Sequence, residues 1–160
     1  MARIKHNFLI FLSCLTLGIL MSACNKNIII SEYTKLPEEG WKTANKLNFT
    51  VDIEDNKPYH HVYLNVRHAD SYPYSNLYVF LTTTYPNGKT TSDTLECILA
   101  NKKGEWLGDG AGDIWDHKIL LKQNVLFPQT GKYVFSFEQG MRRNPLPLIM
   151  DFGMTIEKAQ

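Results

Sequence analysis

The stretch Leu47–Glu54 reads LNFTVDIE and alternates strictly between apolar and polar side chains. Its four odd positions are Leu, Phe, Val and Ile, and its four even positions are Asn, Thr, Asp and Glu. Successive side chains of a β-strand point to opposite faces, so this pattern predicts a strand with one buried and one solvated face. Antiparallel sheets that cover a core on one side have this pattern.

The same character recurs along the chain, with turn-forming residues such as Pro86–Gly88 and Phe127–Gly131 between the segments. Further strands are predicted in Val62–Arg67, Leu77–Tyr85, Lys89–Leu99, Lys118–Leu126, Tyr133–Glu138 and Leu148–Glu157. We therefore expect an all-β protein, an antiparallel two-sheet β-sandwich of about eight strands spanning residues 46–160. Ile114–Lys122 is ambiguous, because Ile114, Lys118 and Leu121 would also share one helical face.

Composition limits the classes of protein to consider. The chain has 160 residues, 44% apolar and 21% charged, which suits one globular domain. Its formal net charge of +1 argues against nucleic-acid binding, which needs a surplus of Lys and Arg.

Residues 1–23 predict a lipoprotein signal peptide. Arg3 and Lys5 precede a short apolar stretch, Phe8–Leu20, and Ser22-Ala23 then leads to Cys24. Cleavage before Cys24 would leave a cysteine that can carry lipid and hold the protein on a membrane without spanning it. Residues 24–45 are expected to form the lipidated N-terminus and a tether, part of which is a first strand. A plain secretory signal or an anchor helix is the alternative.

The cysteines and charges of the mature chain follow from this reading. With Cys14 removed and Cys24 lipidated, only Cys97 remains, so no internal disulfide is expected and Cys97 is predicted to be a buried apolar residue. Loss of Arg3 and Lys5 from 17 basic residues leaves 15 against 16 acidic ones, a net charge of −1. No Asp or acidic run follows Cys24, which favours the outer membrane, facing the periplasm.

An ordered series of motifs resembles the gliding-motility lipoprotein GldH family of Bacteroidetes. The matching segments are Asn76–Phe80, Tyr85–Gly88, Asp93–Glu96, Gly104–Gly108, Phe127–Pro128, Gly131–Tyr133 and Glu138–Arg142. The resemblance covers most of the mature chain and includes the lipoprotein cysteine. It implies an envelope lipoprotein that supports gliding and the secretion system tied to it, with no catalytic residues to carry over. In a host that does not glide, it implies a role in envelope upkeep or secretion.

Some residues suggest chemistry that does not depend on that resemblance. Asp109, Asp113 and Asp116 lie in a Gly-rich stretch and are weak candidates for a calcium site, although a structural loop explains them better. His60 and His61 would face opposite sides of a strand, so they cannot easily share a metal, and a surface or edge position is expected. The sequence has no Gly-x-Ser-x-Gly motif and predicts neither an enzyme nor a cofactor.

Three residues are candidates for ligand or partner contact: Trp106, Trp115 and Arg142. The Trp residues belong to a set of aromatics that would either form a platform for sugar rings or fill the core: Trp41, Trp106, Trp115, Tyr59, Tyr63, Tyr72, Tyr74 and Tyr78. Arg142 would bind a carboxylate or phosphate, or hold its own loop through carbonyls or Asp151. The leading function is a lipid-anchored, non-catalytic envelope protein that contacts motility or secretion proteins; the alternative is a carbohydrate-binding module.

Overall fold

Alternation of burial along the strands builds this protein from two antiparallel sheets. The computed structural model describes residues 27–159, so the predicted signal peptide and Cys24 lie outside the described residues. Nine strands are present in that range: β1 Ile28–Lys35, β2 Leu47–Ile53, β3 His60–Ala69, β4 Asn76–Thr84, β5 Thr90–Ile98, β6 Asp109–Ala111, β7 Ile114–Val125, β8 Gly131–Gln139 and β9 Ile149–Lys158. Within residues 27–159, no helix has the length and apolar character needed to cross a bilayer.

The strands form a five-stranded sheet in the order β1-β9-β3-β7-β6 and a four-stranded sheet in the order β2-β8-β4-β5. Neighbouring strands are antiparallel throughout both sheets. The prediction of an all-β, antiparallel two-sheet sandwich is confirmed, with nine strands in place of about eight.

The core lies between the two sheets and is lined by alternate residues of β2, β3, β4 and β8 and by a continuous buried run in β9. In β2, the four apolar side chains are buried and the three polar ones are exposed, as the alternation predicts. Large aromatic rings fill the centre: Phe137 lies 5.9 Å from Phe49 and 5.1 Å from Phe152 between ring centroids. Trp41, which is fully buried, packs 5.0 Å from Phe152. Since such large apolar surfaces are removed from water, this core supplies the main stabilising free energy.

The sandwich begins earlier in the chain than residue 46. Strand β1 pairs with β9 along the edge of the five-stranded sheet. Trp41, in the connection from β1 to β2, forms an isolated β-bridge with Leu146. Residues 28–41, which lie in the part expected to combine a tether with a first strand, thus contribute β1 and Trp41 to the sandwich. The run Ile28-Ile29-Ile30 carries no alternation, so the sequence indicated a first strand in this part of the chain but not its bounds.

The Gly-rich stretch and the ambiguous segment after it form one hairpin. Ile114–Lys122 is part of the long strand β7, not of a helix. The short strand β6 pairs with the start of β7, and Gly112 in the turn has a φ of 64°, which favours glycine. The three residues of β6 are too few to show a period of two.

The two ends of the sandwich are distinct. We call the end that carries the first residues of β1 and β3 and the last residues of β7 and β9 the proximal end, and the opposite one the distal end. The ten residues of β3 run from one end to the other, which corresponds to about 30 Å.

Candidate functional site

The distal end gathers the three residues that the sequence proposed for ligand or partner contact. Trp106 lies in the connection from β5 to β6, Trp115 near the start of β7, and Arg142 in the connection from β8 to β9. They come from three separate segments of the chain. The fold thus brings them to one end of the molecule.

A single carboxylate holds the two indoles. The Oδ1 atom of Asp70, just beyond β3, accepts hydrogen bonds from the indole N–H of Trp106 at 3.0 Å and of Trp115 at 2.8 Å. Both rings are half-buried and Asp70 is exposed. Hydrogen bonds to a charged acceptor are stronger than neutral ones, so Asp70 fixes the orientation of both rings.

Two histidines lie beneath these indoles. The Nε2 atoms of His68 and His117 are 2.9 Å apart, and the His68 ring packs 4.4 Å from the Trp106 ring between centroids. The Nδ1 atom of His68 lies 2.8 Å from the backbone carbonyl of Ala69, which only accepts. The proton of His68 is therefore on Nδ1, and the Nε2–H of His117 donates to His68.

Burial keeps this pair neutral. Both imidazoles lie within the protein. Desolvation lowers the pKa of His68. The pKa of His117 is lowered to about 4, first by desolvation and then by the neighbouring His68. A second proton between the two rings would place two donors face to face, so the pair acts as a structural contact at neutral pH.

The three candidate metal ligands lie along the β6–β7 hairpin. Asp116 pairs with Arg67 at 2.7 Å, and Asp109 stands opposite Asp116 in the β6–β7 ladder. Asp113 lies in the hairpin turn, where its backbone carbonyl accepts the N–H of Asp70. Among residues 27–159, no group of three His, Cys, Asp or Glu side chains is arranged to hold a metal ion.

The structure places Arg142 on the surface. The side chain is exposed, and Asp151, the partner considered for it, pairs instead with Arg67 at 3.3 Å. The loop is held by Gln139, whose amide donates to the carbonyl of Arg143 and accepts the N–H of Met141. The guanidinium of Arg142 is thus presented to solvent.

An exposed apolar patch lies next to Arg142 on the outer face of the four-stranded sheet. It consists of Tyr78, Phe80 and Ile98, which are 37%, 48% and 48% exposed. The sulfur of Met141 accepts the backbone N–H of Tyr78 at 3.3 Å, which places the residue before Arg142 against the patch. We call Tyr78, Phe80 and Ile98, together with Met141 and Arg142, the β4 patch.

The eight aromatic residues considered for a sugar platform do not share one surface. Trp41 and Tyr72 are buried in the core. Tyr59 is at the proximal end, and Tyr78 is on the outer face of the four-stranded sheet. Tyr63 lies on the five-stranded sheet, where the Lys118 ammonium is 4.1 Å from its ring centroid. A platform built from the whole set is therefore not present.

Within residues 27–159, the remaining two histidines and the cysteine lie on the faces that strand parity gives them. His61 faces outward and packs edge-on at 6.4 Å from Tyr63. His60 faces inward and is fully buried against Phe127, so the expected surface position is wrong for it. Cys97 is buried, and desolvation raises its pKa to about 12, which suits an inert thiol.

Sequence reasoning missed two features, the His68–His117 contact and the β4 patch. The alternation along β3 did indicate that His68 is buried, since His68 falls on the same face as Val62, Leu64 and Val66. The partner is 49 residues away and depends on the β3–β7 register, which no local pattern encodes.

Comparison with known proteins places the chain in one family. The sequence model described as GldH lipoprotein matches residues 28–156. The gliding motility lipoprotein GldH homolog of Christiangramia forsetii is 37% identical, over 97% of this chain and 98% of that protein. The gliding motility lipoprotein GldH of Flavobacterium johnsoniae is 30% identical, over 98% of each.

Among solved structures, TmCBM61 in complex with β-1,4-galactotriose matches over 72% of this chain and 61% of that one. The two chains are 13% identical, and the TM-score is 0.28. That value is too low to carry an argument about fold or ligand.

The matches to the two curated relatives extend over almost the whole chain, and the family model covers all nine strands except the last residues of β9. The resemblance read from the ordered motifs is thereby confirmed, and this chain belongs to the GldH lipoprotein family.

Proposed function

We propose that this protein is a lipid-anchored, non-catalytic component of the cell envelope that supports gliding motility, or the protein secretion associated with it, by contacting other envelope proteins. Membership of the GldH lipoprotein family supports the motility and lipoprotein parts of this proposal. The relatives are named for motility and not for a reaction.

The anchor would be diacylglycerol on Cys24. The charged start, the apolar stretch and the small residues before Cys24 support this assignment. The absence of an acidic residue directly after Cys24 favours the outer membrane and its periplasmic face. We expect the Cys24→Ala protein to be found in the soluble fraction and to lose function, whereas the parent is found in the membrane pellet. Recovery of Cys24→Ala from the pellet would contradict lipid anchoring.

The β4 patch is the observation that carries the proposed contact with proteins. Aromatic residues, Met and Arg are enriched where proteins bind one another, and contiguous exposed apolar surface on a soluble body often marks such a site. Phe80 and Ile98 are each about half exposed, although burial would be favourable for both. The guanidinium of Arg142 beside them would pair with an acidic group of the partner.

Co-purification from detergent-solubilised membranes tests this contact. We expect Phe80→Ser and Arg142→Ala each to reduce the recovery of partner proteins, while the free energy of unfolding changes by less than about 1 kcal/mol because both side chains are largely in solvent. Leu120→Ser is the matched control, since Leu120 is 47% exposed on the other sheet. If all three variants recover partners equally, the β4 patch is not the contact.

A carbohydrate-binding module is the second candidate. It is favoured by the two half-buried indoles of Trp106 and Trp115, which Asp70 holds in fixed orientation. Binding of envelope glycans that is lost in Trp106→Ala and Trp115→Ala, together with normal colony spreading after gene deletion, would favour this candidate. Defective spreading and secretion, with no glycan binding, would favour the first.

A further inference from the structure

The folded body begins three residues after Cys24. The carbonyl of Asn27 accepts the backbone N–H of Lys158 at 2.8 Å, and Ile28 pairs with Glu157 at the edge of the sheet. Three residues span at most about 11 Å even when fully extended. If Cys24 carries lipid, as the proposed function states, the proximal end therefore lies within that distance of the membrane.

Exposed apolar side chains occur at that same end. Ile28 is 41% exposed, Tyr59 52% and Leu126 46%. They stand at the proximal ends of three strands of the five-stranded sheet: Ile28 in β1, Tyr59 just before β3 and Leu126 just after β7. They thus form a row across the sheet, which we call the proximal row. Apolar and tyrosine side chains are the residues that enter the boundary between lipid headgroups and acyl chains.

Charges at the proximal end do not favour one sign. Lys57 and Lys158 are exposed there, and Glu54 and Asp55 follow the end of β2 on the other sheet. An attraction to anionic lipid would need an excess of basic residues. The chemistry of this end therefore fits a contact made by apolar side chains, which salt does not screen.

We infer that the proximal row rests on the phospholipid surface that holds the Cys24 lipid, so that the sandwich stands on its end with its strands directed away from the membrane. This orientation rests on the proposed lipid anchor. It places the distal end, with Trp106, Trp115 and Arg142, about 30 Å from the bilayer.

Nitroxide labels on exposed lysines test the orientation in the full lipidated protein. Lys57→Cys and Lys158→Cys place a label at the proximal end, and Lys102→Cys places one at the distal end; Cys97 is buried and does not compete for the label. The labelled proteins are reconstituted into phosphatidylethanolamine–phosphatidylglycerol vesicles. We expect the ratio of collisions with oxygen to collisions with a water-soluble nickel chelate to be several-fold higher at positions 57 and 158 than at position 102. This difference should persist at about 1 M salt.

Four further results decide between the explanations. Tyr59→Ser combined with Leu126→Ser should lower the ratio at positions 57 and 158 towards that at position 102. Equal ratios at all three positions, in protein that sediments with the vesicles, would overturn the orientation and leave the lipid anchor standing. Loss of the proximal protection at high salt would overturn the apolar contact in favour of an electrostatic one. A protein whose mass shows no lipid and which stays in the supernatant would overturn the anchor itself.

Discussion

At the scale of single residues, His68 and His117 show how burial sets a protonation state. Each ring is enclosed, and the hydrogen bond between the two Nε2 atoms needs one proton and one lone pair. The aromatic rings of Trp106 and Tyr72 pack on His68 and keep water away. The contact therefore forms when both imidazoles are neutral, and protonation of either ring in acid destabilises it.

This arrangement predicts a loss of stability in acid. The pKa of His117 is about 4 in the folded protein and near 6.5 in the unfolded chain. The unfolded chain binds more protons between these values, so the stabilising contribution is complete above pH 6.5 and is lost as the pH falls towards 4. The free energy of unfolding should decrease by roughly 3 kcal/mol from this group over that range. Urea unfolding at a series of pH values measures it.

His117→Gln isolates the group responsible. Its amide can still donate to His68, but it does not titrate, so the pH dependence between 6.5 and 4 should become shallower. His61→Gln is the control, because His61 faces outward on the same sheet. A residual slope is expected from His60 and His68, whose pKa values burial also lowers. An unchanged slope in His117→Gln would show that another group is responsible.

At the scale of secondary structure elements, the edge strand β1 depends on a glycine of its neighbour. Gly153 pairs with Tyr33 across the β1–β9 ladder. A Cβ atom at position 153 would collide with the backbone carbonyl of Glu32 and approach the Tyr33 ring to 2.9 Å. The backbone oxygen cannot move without disturbing the ladder, so only glycine fits.

Gly153→Ala should therefore loosen β1. We expect a loss of about 1–3 kcal/mol in the free energy of unfolding, typical of overpacking. Amide hydrogen exchange in residues 28–35 should become faster than in β3. Glu32→Ala, an exposed change on the same strand, serves as the control and should have little effect. Equal results for the two variants would mean that β1 tolerates the extra methyl group.

The elements also show what a sequence can and cannot predict here. Strands β2, β3 and β8 alternate in polarity, and that pattern predicts both the strands themselves and the face that each one buries. Strand β1 lacks alternation and β6 is too short for it. The β4 patch could not be foreseen, because Phe80 on its own reads as a core residue, and only the register shows that it faces solvent.

At the scale of the whole molecule, one continuous core joins the two sheets. It includes residues from the connection after β1, such as Leu36 and Trp41, as well as residues of the central strands. Cys97 is the only cysteine among residues 27–159 and is free. No disulfide within that part of the chain supports the fold, so packing must hold it together.

A single cooperative unfolding transition is expected for the body formed by residues 27–159. Far-ultraviolet circular dichroism and tryptophan fluorescence should give the same midpoint in urea, because Trp41 is within the core that both sheets share. Addition of a reductant should leave that midpoint unchanged. Two separate transitions would show that the sheets unfold independently.

The order of strands in the larger sheet has a consequence for folding during synthesis. Strand β9 lies between β1 and β3 and pairs with both. When the chain emerges from its N-terminal side, these two earlier strands have no partner on that edge until residues 149–158 arrive. The five-stranded sheet therefore cannot be completed before residues 149–158 are available, and its earlier strands need protection from aggregation until then.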